Sequence, residues 1–209
     1  NLVTDQGGGP LHGEVSVEGG GLGYFRGVTR MAGGLWDNRF LYSAGVTHLN
    51  VMRGMDGDDR VRNTGMQGSA QYRLGSRSTL GGRVFATGSY AGLNVSPAAM
   101  FSASVPGSGI VAAVPSVTFT PQLNDPDSSR HARFFAGLFT LTRQLAPGSS
   151  LRGYYHGFTS SRDNRDGPLG GGFQPAFANN NLFDGRIDTG GARGDFSLGG
   201  TRQLSLGYE

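Results

Sequence analysis

The sequence predicts an all-β chain, and three observations carry that expectation. Glycine supplies 38 of 209 residues, more than twice its usual share of roughly 7%, and each glycine inside a helix costs about 1 kcal/mol relative to alanine. Apolar and polar residues alternate with period two along several long runs, as they do on a strand with two unlike faces. The runs are separated by turn-forming clusters, and these connections alternate between short and mostly long.

Taken in chain order, the strands are expected at 13–19, 24–32, 39–51, 63–74, 79–91, 131–145, 150–159, 184–198 and 201–209. In the first, Val15 and Val17 oppose Glu14, Ser16 and Glu18. The second alternates least cleanly, because Arg26 and Arg30 fall on the same side as Val28. In the third, Phe40, Tyr42, Ala44 and Val46 oppose Ser43, Gly45 and Thr47. The fourth is the cleanest, with Met66, Ala70, Tyr72 and Leu74 against Gln67, Ser69, Gln71 and Arg73. The fifth sets Leu80, Val84, Ala86 and Tyr90 against Thr79, Arg83, Thr87 and Ser89, with Phe85 breaking the rule on the polar side. The sixth and seventh carry aromatic residues on both faces. The eighth opposes Ala192, Phe196 and Leu198 to Arg193, Asp195 and Ser197, and the ninth opposes Leu204, Leu206 and Tyr208 to Gln203 and Ser205.

Connections at 33–38, 75–78, 146–149 and 199–200 are short, whereas those at 52–62, 93–129 and 160–182 are long. In an antiparallel meander this sorts short turns to one rim and long loops to the other. Outer-membrane barrels show that asymmetry, with short periplasmic turns and longer extracellular loops. The expected strands also reach the nine to eleven residues or so that a tilted transmembrane strand needs, and aromatic residues sit near strand ends, where membrane interfaces favour them. The expectation is therefore an antiparallel transmembrane β-barrel fragment, about nine strands in an up-and-down meander. A soluble sandwich would have shorter strands, and a solenoid would repeat at a fixed period.

Composition excludes several classes. Every one of the 18 basic residues is arginine, and the formal charge is +3. The arginines are scattered among acids rather than grouped in a stripe that tracks phosphates, so no nucleic-acid partner is expected. With no cysteine, thiolate chemistry is excluded. The longest charge-free stretch, 86–124, is broken by Pro97, Pro106, Pro115 and Pro121, which a membrane helix would not survive intact.

The order of segments carries a family likeness. Asn1-Leu-Val-Thr-Asp-Gln-Gly-Gly-Gly-Pro10 is followed by Gly13-Glu-Val-Ser-Val-Glu-Gly-Gly-Gly-Leu-Gly-Tyr-Phe-Arg26. Then come Phe40-Leu-Tyr-Ser-Ala-Gly-Val-Thr-His48, Arg53-Gly-Met-Asp-Gly-Asp-Asp-Arg60 and Phe183-Asp-Gly-Arg-Ile-Asp-Thr189. This succession resembles the end of the plug and the first barrel strands of TonB-dependent outer-membrane receptors. The resemblance implies that 1–10 is the end of a plug or its linker and that 11–209 is a partial barrel, completed by a plug and remaining strands of the same protein. It further implies outer-membrane lipid around the barrel, TonB engaging a plug N-terminus not present in this sequence, and uptake of a scarce small-molecule ligand such as an iron chelate, cobalamin or oligosaccharide. A small stand-alone barrel or adhesion-type β-protein is the alternative.

Under this reading Gln67, Gln71, Arg73, Arg83, Arg193 and Asp195 face the lumen. Ligand contacts are expected from the outer loops, at Asp56, Asp58, Asp59, Arg60, Arg62, Phe173, Gln174 and Asn180. The aspartates at 56–59 resemble a calcium loop, but an EF-hand would require glutamate at position 67, which is Gln67. His12, His48, His131 and His156 have no metal-ligand spacing, no G-x-S-x-G elbow is present, and Gly19-Gly-Gly-Leu-Gly23 lacks the lysine of a phosphate loop. No cofactor, no metal and no catalytic residue are expected.

Overall fold

The computed structural model describes residues 5–53, 60–94, 124–170, 175–199 and 201–209. These form nine strands: β1 (His12–Gly20), β2 (Tyr24–Leu35), β3 (Phe40–Val51), β4 (Val61–Leu74), β5 (Ser78–Asn94), β6 (Asn124–Ala146), β7 (Ser149–Asp166), β8 (Asn179–Ser197) and β9 (Gln203–Tyr208). They lie in one sheet in chain order, and each pairs antiparallel with the next. The described residues contain no α-helix, only a single 3₁₀ turn at Gly21–Gly23. The sheet is not closed, with β1 and β9 as its edges.

The expected strand cores are present, but β6, β7 and β8 extend beyond them toward one rim. Residues 160–166 and 179–182, expected in a loop, are paired strand residues. The polar run Ser160-Ser-Arg-Asp-Asn-Arg-Asp166 carries no apolar alternation. It is extended because β6 and β8 supply backbone partners on both sides, and every buried or paired peptide group needs one.

Because pairing is in chain order, the connections sort by rim. The ends of β2 and β3, of β4 and β5, of β6 and β7, and of β8 and β9 that share a short connection lie at one rim, and the other strand ends lie at the opposite rim. The short turns have glycine where the backbone demands it: Gly75 and Gly148 have φ of 73° and 74°, a region costly for residues with a Cβ. The turn after β2 does without glycine. Trp36, Asp37 and Asn38 have φ of 52°, 54° and 60°. Asn38 Oδ1 accepts the Gly9 amide at 2.8 Å, and the Trp36 ring contacts those of Phe40 and Tyr72 at 6.1 and 6.2 Å between centroids.

The sheet has almost no interior. Ala32, 3% exposed, is the one buried hydrophobic residue among those described; it lies on β2 beside the segment 5–10, which bonds to that strand through Gly34 N to Gly9 O at 2.8 Å.

The turn glycines give a graded expectation. A Cβ on Gly75 meets nothing within 4 Å, whereas one on Gly148 would sit 2.9 Å from Ser197 Cβ. Gly75→Ala should cost about 1 kcal/mol, the left-handed penalty alone, and Gly148→Ala about 2 kcal/mol or more because overpacking adds to it. Urea midpoints of the two variants refolded in lipid vesicles measure the difference.

Candidate functional site

Register assigns every strand residue to a face, since paired residues share one. One face collects Val15, Val17, Phe25, Met31, Leu35, Phe40, Tyr42, Val46, Met66, Tyr72, Leu80, Val84, Phe135, Phe139, Leu141, Leu151, Phe196, Leu204 and Leu206. Its large side chains are open to the surroundings: Met66 is 53% exposed, Phe135 50% and Phe139 52%. The opposite face holds Gln67, Gln71, Arg73, Arg83, Arg193 and Asp195 together, as expected from the alternation. On β6 every even-numbered residue from Ala132 to Thr142 is half-buried, while Arg133, Phe135, Phe139 and Leu141 are exposed. The sheet therefore bends toward the polar face, which is concave, and turns its apolar face outward.

The outward apolar residues form a slanted band. Leu35, Phe40, Tyr72, Leu80, Leu141, Gly153, Ala192 and Tyr208 pair in succession and mark one row across β2 to β9. On β2 the outward positions stay uncharged from Leu35 to Phe25, ten residues above the row. On β6 the apolar run ends at Phe135, six above, before Arg133. On β8 it ends at Gly190, two above, before Asp188. The other limit moves the same way, from Leu35 on the row to Phe196, four residues below it. The upper limit falls from β2 to β8 but not evenly: outward positions are uncharged to Tyr90 on β5 and to Ser161 on β7, and Arg143 on β6 lies just below the row.

Above the band, several outward charges are paired. Tyr155 Oη donates to Asp188 Oδ1 at 2.5 Å, and Arg186 Nε donates to Asp188 Oδ2 at 2.5 Å. Arg165 pairs with Asp163 at 2.8 Å. On the concave face the two arginines that blurred the second strand prove to be cross-strand partners. Arg26 binds Glu18 at 2.7 Å, and Arg30 binds Glu14 through Nε at 3.0 Å. Opposite charges directly across a ladder stabilise both strands, so Val28 shares a side with them at no penalty. Phe85, the other exception, belongs to a ring cluster: it meets Phe134 at 5.8 Å, and Phe134 stacks on Phe158 at 5.5 Å.

The segment 5–10 is held by Asp5, whose Oδ1 accepts the Gly7 amide at 2.9 Å and whose Oδ2 bonds His12 at 2.8 Å. The Gly7 amide first, and His12 second, hold the Asp5 carboxyl below its usual range.

Of the expected ligand contacts, Asp56, Asp58, Asp59, Phe173 and Gln174 lie outside the described residues. Arg60 closes the connection before β4, Arg62 is on β4 and Asn180 is on β8, all toward the long-connection rim. The sequence reading missed a convergence at the same rim: oxygens of Asp125, Asp127 and Asp166 lie within 4.8 Å of one another, and Leu169 N donates to Asp127 Oδ2 at 3.1 Å. Sequence separation hid them, since β6 and β7 bring 125 and 166 together only by pairing. No family model matches the chain, and neither a curated protein nor a solved structure does.

Two expectations follow. A depressed carboxyl stabilises only while ionised, so the tether at Asp5 is complete above the ordinary carboxylate range and is lost as pH falls below it; hydrogen exchange at the Gly7 amide should accelerate over that interval relative to strand amides. At β8, Asp188→Ala and Tyr155→Phe should each lower the urea midpoint, and the double variant should fall no lower than Asp188→Ala alone, because both remove one shared bond.

Proposed function

We propose that this chain is part of the wall of an outer-membrane β-barrel, from a transporter of the TonB-dependent receptor type that takes up a scarce small-molecule nutrient. The observation that carries the reading is the exposed apolar band on the convex face. A sheet in water buries its apolar side; here that side points outward and the polar side is concave, the arrangement of a barrel with lipid outside and a polar lumen. Trp36, Phe40 and Tyr72 cluster at the short-turn rim, where amphipathic rings favour the interface.

The edges support a barrel larger than these nine strands. Among the described residues β9 covers β8 only from Ala192 to Ser197, so 179–191 has no second strand beside it there, and unpaired backbone is not tolerated in hydrocarbon. Further strands of the same protein fill that role in the receptor reading. The segment at Asp5 and Gln6 lines the concave trough, which agrees with a plug reaching this wall from the lumen side. In this reading the long-connection rim faces outside and contributes to ligand capture, while TonB acts through the plug.

The absence of native cysteine makes single-cysteine labelling a clean test in the protein reconstituted into bilayers. Cysteine at Val84, Phe135 or Phe139 should resist a membrane-impermeant maleimide, and cysteine at Arg83 or Arg133 should react. The slant adds a sharper pair: position 25 protected, position 188 labelled, although 188 lies nearer the reference row. Equal reactivity at 83 and 84, or a chain that stays in the aqueous phase, overturns the membrane reading. The receptor part stands or falls on the reading frame around this chain, which should encode a plug-sized domain before it and more alternating strands after it.

A further inference from the structure

The concave face carries an unusual combination of cations without acids and aromatic rings without cover. From Val61 to Asn164, the concave positions of β4 to β7 include Arg73, Arg83, Arg130, Arg152, Arg162 and His156 and no carboxylate. On β1 and β2, by contrast, each concave glutamate has its arginine. The Arg83 guanidinium has no hydrogen-bond or ion-pair partner among the described residues. Register arranges its neighbourhood closely. Arg83, Leu138 and His156 occupy one row, and Phe85, Ala136 and Phe158 occupy the next. The small Ala136 thus lies between two phenylalanines, Phe134 closes the side toward the long-connection rim, and Arg83 and His156 stand at the opposite corners. Phe85 remains 44% exposed. Arg83, Phe85, Ala136, Leu138 and His156 line a trough of about 680 Å³, within the range of small-molecule sites.

We infer that this hollow binds a small aromatic carboxylate, its ring over Ala136 against Phe85 and its carboxylate on the Arg83 fork. Ring-to-ring contacts take a planar guest edge-on or offset. A guanidinium binds a carboxylate through two parallel N–H donors, a geometry an ammonium does not offer. The acids that line the same trough, Glu14 and Asp5, are already engaged by Arg30 and His12, so they leave the Arg83 charge uncompensated. The inference rests on the proposed function only in taking the concave face as the side away from lipid.

Equilibrium dialysis of salicylate against the whole protein that contains this chain, in lipid nanodiscs, tests it, with salicylate fluorescence giving the bound fraction. Saturable binding is expected, weakened fivefold or more by Arg83→Gln and abolished by Ala136→Phe, which fills the hollow. Arg133→Gln, on the convex face, should leave it unchanged, and benzyl alcohol, which lacks the charge, should compete poorly. Because Arg83 is exposed, its variant should retain the fold, as the maleimide pattern verifies. The inference is overturned if binding is not saturable, if Arg83→Gln binds as wild type, or if benzyl alcohol competes as well as salicylate. A protected convex face with no salicylate binding rejects the site alone, whereas a labelled convex face with Arg83-dependent binding rejects the membrane reading alone.

Discussion

The continuous antiparallel ladder is the constraint on which everything else in this chain depends. Packing cannot take that role, because a single alanine is the whole buried hydrophobic set among the described residues. Eight successive pairings hold the sheet, and their registers run through with shifts only near Gly92 and Gln144. Since side chains alternate with period two, a slip of one residue on any strand would send its apolar set to the polar face. The cross-strand pairs act against such slips. Glu14 and Glu18 on Arg30 and Arg26, Ser43 on Ser69, and His48 on Thr64 each match only in the observed register.

From that ladder the two faces follow, and from the faces the proposed environment. Outward phenylalanine, methionine and valine side chains half exposed to the surroundings are unfavourable in water, at about 25 cal/mol per Å² of apolar area left uncovered. The same residues are favourable against acyl chains. The inward face makes the opposite demand, with hydroxyls, amides and guanidinium groups turned into a concavity. A charged group such as Asp188 is accommodated on the outer face because the slanted band has already passed below it at β8, and Tyr155 and Arg186 satisfy both of its oxygens.

The departures from the alternation are explained across strands. Phe85 interrupts the polar side of β5, and its ring neighbours come from β6, with β7 one step further. Arg26 and Arg30 interrupt β2, and their explanation lies on β1. Asp125 and Asp127 meet Asp166 across the β6–β7 rim. In each case the anomaly on one strand is resolved by a neighbour that pairing brings alongside.

By itself the sequence determined the all-β class, the nine strands, the assignment of Gln67, Gln71, Arg73, Arg83, Arg193 and Asp195 to one face, and the sorting of connections by length. These are local properties: glycine content, period-two alternation and turn residues act within one strand or one turn, where neighbours in the chain decide the outcome. Tertiary structure alone decided how far β6, β7 and β8 extend, because the polar run at 160–166 has no alternation of its own and is held by the strands on either side. It alone decided which face is concave, how the apolar band slants, and which rings and charges meet around Ala136. Those properties depend on register between strands, and register is a relation between segments that no single segment encodes.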